Sequence, residues 1–215
     1  YEEGILSFLY RIQQTLFETS ADILQDCWGS NRRILKKRYP DWYRKILESR
    51  DEVSDCYQVS WAKTGDLVLE MAGEQGTVRL NSQSDPWREA LLFAESAVSK
   101  EYQEYLVMGF GLGYHLECML KQPGCKKIVV LENDLYQLAI ALSYRNLSHL
   151  LDNEKVTVCY CPDAVDYSGY LSDLTDDTKC VVWYPSIRTI QNTSLRETLE
   201  NYQIELSSTE NMEEE

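Results

Sequence analysis

Residues 106–120, LVMGFGLGYHLECML, decide the fold. An apolar run reads as a buried strand, and Gly109, Gly111 and Gly113 break it before a helical pattern starts at Tyr114. Glycine lets the chain turn sharply, and a loop without Cβ atoms lets a ligand approach the free N–H groups of the helix behind it. The dinucleotide fingerprint GxGxxG needs a glycine at 114, where Tyr114 stands, so NAD and FAD are disfavoured.

Downstream the pattern repeats. KKIVVLEND (126–134) is a strand, LYQLAIALSYR (135–145) a helix, KVTVCYC (155–161) a strand and KCVVWYP (179–185) a fourth strand after Leu171–Asp177. Strands alternating with helices predict a parallel sheet with right-handed crossovers. Glu132 ends the second strand, 19 residues after Gly113, where a nucleotide-binding sheet places an acid on the ribose hydroxyls. Asp163 follows the third strand. All three features fall at the carboxyl edge of the sheet, where such folds bind ligands. The candidate cofactor-binding residues are therefore Gly109, Gly111, Gly113, Glu132 and Asp163.

The GxGxG loop resembles that of class I S-adenosylmethionine methyltransferases, which also commonly place an acid at the Asp163 position, on the adenine amino group. The departures are Val107, where that family carries an acid two residues before the first glycine, and Tyr184–Pro185 after the fourth strand, where it carries an Asn/Asp-Pro-Pro-aromatic motif. Four strands also fall short of that family's seven. No nucleophile–base pair can be named, so no catalytic residue is assigned. His115 is the histidine nearest the loop, and packing on a helix face is its default role.

Upstream, residues 3–27 have helical apolar spacing with Gly29 as a stop, and Asn31 opens a second helix that Pro40 kinks or breaks. Residues 53–81 hold short β-rich runs split by Gly65, Gly73 and Gly76, which predict two or three antiparallel strands. In SDPWREALLFAESAV (84–98), Ser84 or Asp85 caps a helix, Pro86 sits in its first turn and Glu89 is placed for a capping box. A last helix spans roughly 190–204, ahead of a polar, acidic tail.

The chain of 215 residues carries 35 acids and 21 bases, a net charge of −14. Nucleic-acid binding needs a basic footprint, so this balance argues against it. The charge is uneven: residues 31–50 hold eight bases and two acids, +6, whereas the other 195 residues hold 13 bases and 33 acids, −20. Arg32, Arg33, Lys36 and Lys37 are expected to lie exposed, and a homo-oligomer or an acidic protein partner would dock through residues 31–50. Seven cysteines and two histidines show no zinc spacing, so no metal site is assigned and the thiols read as reduced and cytoplasmic. No apolar run is long enough to span a membrane.

NRRILKKRYPDWYRKI (31–46), NSQSDPWREALLFAES (81–96), LVMGFGLGYHLECML (106–120) and VVLENDLYQLAIALSYRNLSHLL (129–151) together resemble the N-terminal domain of the Maf-type motility accessory factors. These are bacterial glycosyltransferases linked to decorating flagellin with nonulosonic acids. The resemblance implies a cytoplasmic bacterial protein whose Rossmann-like domain precedes a catalytic domain. That second domain resembles sialyltransferases and 6-hydroxymethylpterin diphosphokinases, with a Gly-Pro-Ser type loop. No Gly-Pro-Ser occurs in this sequence.

The fold expected is α/β, a Rossmann-like, methyltransferase-like parallel sheet of about four strands over residues 101–190. A helical and small antiparallel β-rich region precedes it over 1–100, and a terminal helix and acidic tail follow over 191–215. The function expected is a Maf-like accessory domain of a bacterial protein-glycosylation system that binds a nucleotide or nucleotide-sugar at the GxGxG loop. The alternatives are an S-adenosylmethionine-dependent methyltransferase and a non-enzymatic interaction module with a vestigial site.

Overall fold

The structure is a computed structural model that describes residues 27–50, 57–73, 76–190 and 192–201. The first helix expected, over 3–27, lies outside the described residues except for its end. Helix α1, described over 27–38, runs through Gly29 without stopping, which corrects the boundary placed there. The reason is the stripe of Trp28, Asn31, Leu35 and Tyr39, which is buried on both sides of the glycine and keeps the turn in register. Pro40 does break the helix: Tyr39 leaves it, and Pro40 takes the first position of α2 (Pro40–Arg50), where its missing N–H costs nothing.

Three antiparallel strands follow, β1 (Tyr57–Trp61), β2 (Leu67–Gly73) and β3 (Gly76–Arg79), in the order β1-β2-β3. Helix α3 (Pro86–Ala97) starts on Asp85, whose side chain accepts from Arg88 N. Glu89 makes no capping box. It lies one residue too far from Asp85 and instead accepts from Ser82 N at 2.7 Å, tying down the strand-to-helix loop.

The second sheet is parallel: β4 (Glu104–Met108), β5 (Lys127–Glu132), β6 (Val156–Tyr160) and β7 (Thr178–Val182) in the order β6-β5-β4-β7. Helices α4 (Tyr114–Leu120), α5 (Leu135–Tyr144) and α6 (Ser148–Leu151) lie between β4 and β6, and α7 (Ala164–Ser172) carries the return from β6 to β7. Helix α8 (Tyr184–Arg188) and α9, described over 193–201, follow.

Side chains alternate across this sheet as the two-residue period requires. Tyr105, Val107, Ile128, Val130, Val156 and Val158 enter one core with α1 to α6. Leu106, Met108, Leu131 and Cys180 enter a smaller core on the other face, with Tyr167 of α7 and Leu195 and Leu199 of α9. Each such leucine, fully buried, contributes about 1.5–3 kcal/mol. Helix α7 escaped the sequence reading because its amphipathic signal is weak: Tyr167 is its buried residue, while Val165 is 80% exposed. None of the described helices is long and apolar enough to cross a membrane.

Candidate functional site

The parallel register aligns the carboxyl ends of all four strands. Met108 pairs with both Leu131 and Val182, and Glu132 pairs with Tyr160. The ladder continues past the strands, from Gly109 N to Leu131 O, Cys161 N to Glu132 O and Trp183 N to Met108 O. The glycine loop, Glu132, Cys161 and Trp183 therefore share one edge. The chain leaves β4 toward β5 on one side, and β7 returns on the other. The crevice between β4 and β7 is thus the switch point at which open α/β sheets take ligands.

All three loop glycines have positive φ: +97° at Gly109, +52° at Gly111 and +81° at Gly113. The loop needs glycine, as the sequence implied, but its neighbours are the protein's own side chains. A Cβ on Gly109 would lie 2.5 Å from Ser186 Cβ, and one on Gly111 would lie 3.3 Å from Trp183 Nε1. Trp183 packs against the glycine turn. Its ring stacks on His115 at 4.4 Å with 5° between planes, and Phe93 packs edge-on against both. Burial pushes the His115 imidazole down to about 3, so the ring is neutral and donates from Nε2 to Gly109 O at 2.9 Å. His115 thus packs, as expected, and also fixes the loop. Among the described residues Trp183 Nε1 and Ser186 Oγ are buried without a hydrogen-bond partner.

Glu132 stands at the expected place and is 1% exposed. Its Oε2 accepts from Phe110 N, and its Oε1 from Asn133 N and Asp134 N, each at 2.9 Å. A carboxylate has about four lone-pair sites, so three of them are spent on the backbone. Burial first, and Asp134 second, push this carboxyl up to about 7. Asp134 caps α5 through Tyr136 N and Gln137 N and accepts from Tyr57 Oη, which ties β1 to this edge. Gln137 donates to Tyr57 Oη and to Thr189 Oγ1. Asp163 is exposed and caps α7, accepting from Val165 N and Asp166 N.

The structure thus brings the glycine loop and Glu132 into direct contact and sets Asp163 on the same edge, as the cap of a helix. Tyr184, the first residue of α8, is 47% exposed. The residues that sequence reasoning missed are Trp183 and Ser186. Their one signal was position: they directly follow the strand that flanks the glycine strand. Behind the loop, Glu117 on α4 accepts from Arg145 at 2.7 Å and from His149 at 2.6 Å, and the Arg145 guanidinium lies 3.8 Å over the Tyr114 ring. Among the described residues no group of three or more His, Cys, Asp or Glu is placed to hold a metal. Among the described residues six cysteines form no disulfide with one another, and five of them are buried.

Sheet order, parallel register and the glycine turn after the first strand define a Rossmann-like α/β fold, preceded by a small antiparallel sheet. Residues 63–157 match the family described as glycosyltransferase Maf N-terminal domain, which bears out the resemblance read from the sequence. Similar solved structures include the Maf glycosyltransferase of Magnetospirillum magneticum AMB-1, with a TM-score of 0.49 and 16% identity over 83% of this chain and 34% of that one. A spermidine synthase in complex with a transition-state analogue gives 0.41 and 9% over 67% and 56%. The spermidine synthase of Thermotoga maritima gives 0.34 and 10% over 54% and 51%. The chain spans about a third of the length of the Maf glycosyltransferase that it matches. No curated protein matches it.

Proposed function

We propose that the chain is a Maf-like accessory module of a bacterial protein-glycosylation system, acting on flagellin or a surface glycan. Residues 101–190 form its Rossmann-like unit, and its glycine loop is filled by the protein itself. The match of residues 63–157 supports the setting. The observation that carries the filled loop is the packing of Trp183 and Ser186 against Gly111 and Gly109, in the switch-point crevice. A ribose needs both carboxylate oxygens presented to it, whereas Glu132 is sealed and bonded to three backbone N–H groups.

A second reading is a nucleotide, nucleotide-sugar or S-adenosylmethionine site with the ribose on Glu132. One observation favours it: Trp183 Nε1 and Ser186 Oγ are buried donors facing the glycines without acceptors. Ligand oxygens would satisfy them once α8 had moved.

Thermal unfolding with S-adenosylhomocysteine, CMP, UDP and nucleotide-sugars separates the two. A ligand at about 100 times its dissociation constant stabilises by about 2.7 kcal/mol, which at this size is a shift of at least about 5 °C. The filled loop predicts no shift. A shift that Glu132→Gln abolishes would overturn it in favour of the nucleotide reading. Intact-mass measurement of flagellin and surface glycans from cells with and without the gene tests the setting. Unchanged masses would refute it.

A further inference from the structure

Two charged surfaces of opposite sign lie on opposite faces of the parallel sheet. On one face Arg32, Arg33, Lys36 and Lys37 of α1 are exposed, and none joins an ion pair among the described residues. Helix α1 does not need them to stay in place. Leu35 and Tyr39 enter the core with Val107 and Val130. Asn31 donates to Leu142 O and Arg145 O, and Arg38 donates to Asn153 O and Val156 O. Like charges four residues apart, Arg32 with Lys36 and Arg33 with Lys37, oppose the helix. Among the described residues nothing accounts for the four cations.

On the other face α7 and the loop after it expose Asp163, Asp166, Asp173, Asp176 and Asp177, with no Lys or Arg from 163 to 177. The same helix presents Val165, 80% exposed, and Tyr170, 39% exposed, although its Tyr167 is buried in the second core. This face pairs exposed carboxylates with apolar side chains that the described residues leave uncovered.

We propose that the basic face of α1 docks on the acidic face of α7 in a second copy of this chain. Within one molecule the sheet separates the two faces, so they meet only between molecules. The contact is head to tail. Each addition leaves one α1 face and one α7 face open, and the assembly grows as a chain instead of closing as a two-fold dimer. The inference goes beyond the accessory-module reading and does not depend on whether the glycine loop takes a ligand.

The net charge of −14 gives the contact a salt signature. At low ionic strength the copies repel at long range. At about 0.15 M the Debye length falls to about 8 Å, which screens distant charges and spares touching pairs, and at about 1 M the pairs weaken too. Association is therefore strongest at intermediate salt. An apolar contact tolerates high salt, and a nucleic-acid bridge weakens steadily from low salt.

Sedimentation velocity of the full chain over a concentration series at low, intermediate and high salt tests this. The weight-average sedimentation coefficient should rise with concentration, most at intermediate salt. Arg32→Glu/Arg33→Glu/Lys36→Glu/Lys37→Glu should stay monomeric, as should Asp173→Lys/Asp176→Lys/Asp177→Lys, and an equimolar mixture of the two should associate again. If circular dichroism shows the fourfold variant unfolded, Arg33→Glu/Lys37→Glu takes its place. The proposal is overturned by a parent that stays monomeric throughout, by a reversed variant that associates like the parent, by a mixture that stays monomeric, or by association that nuclease abolishes.

Discussion

Glu132→Gln keeps the shape of the side chain and removes its charge. In the parent, Oε1 serves two N–H groups and Oε2 serves Phe110 N. Glutamine offers one oxygen. If that oxygen takes the Asn133 and Asp134 side, the new NH2 faces the Phe110 N–H, donor against donor. A buried donor without an acceptor costs about 1–3 kcal/mol. The carboxyl is also held up at about 7, against 4.5 when free, because burial and Asp134 penalise its charged form.

The pH dependence follows from the raised value. Between about 4.5 and 7 the folded state holds a proton that the unfolded state has released, so the parent loses stability as pH rises through that window. Glu132→Gln lacks this slope. The stability of the parent minus that of the variant should fall by about 2–3 kcal/mol from about pH 5 to about pH 8. At pH 5 the variant is the weaker by about 2 kcal/mol, and at pH 8 the two nearly coincide. Urea unfolding followed by tryptophan fluorescence at both pH values measures the difference. Parallel pH profiles would refute the buried-charge argument. A variant that is relatively weaker at pH 8 would show that the three N–H bonds outweigh burial.

Gly109→Ala combines φ of +97° with a Cβ 2.5 Å from Ser186 Cβ and should cost about 3 kcal/mol or more, whereas Gly111→Ala, at +52° and 3.3 Å from Trp183, should cost about 1–2 kcal/mol. Equal losses on urea unfolding would show that the glycines serve the turn alone. Asn31→Ala removes a buried side chain that satisfies Leu142 O, Arg145 O and Leu147 N, and should cost about 3–5 kcal/mol, read as a lower urea midpoint with the slope unchanged. Ser186→Ala deletes a buried hydroxyl without a partner and should be neutral or stabilising by up to about 1 kcal/mol. A clear loss in the same assay would reveal a bond at Oγ.

The parts of the fold legible in the sequence were those that local chemistry dictates. Alternation of apolar strands with helices fixed the parallel sheet, and of the two caps read for α3, Ser84 or Asp85, it is Asp85 that caps it, with Pro86 in the first turn as expected. The exposure of Arg32, Arg33, Lys36 and Lys37 followed from their helical spacing against Leu35 and Tyr39. The errors sat where a distant residue overrides a local signal. Gly29 reads as a stop by itself, and buried neighbours on both sides carry the helix across it. Glu89 reads as half of a capping box, and Ser82 N captures it. Helix α7 has a capped start at Asp163 and little amphipathic pattern after it.

The same distinction runs through the site. A glycine with positive φ is a backbone requirement, and the loop shows it at Gly109, Gly111 and Gly113. What the missing Cβ atoms make room for is a tertiary fact. A ligand and a tryptophan 72 residues downstream of Gly111 impose the same demand on the loop. The sequence pattern GxGxG with a following acid is therefore equally compatible with a cradle and with a packed joint. The distinguishing information lay in the strand after the crossover. Strand β7 pairs with β4, so the first residue beyond it, Trp183, must arrive beside the glycine turn. A large aromatic at that position competes with a ligand for the crevice. His115 gives Trp183 a neutral ring to stack on, and Glu132 draws the Phe110 N–H inward. Each of these contacts holds the glycine turn against the protein's own groups.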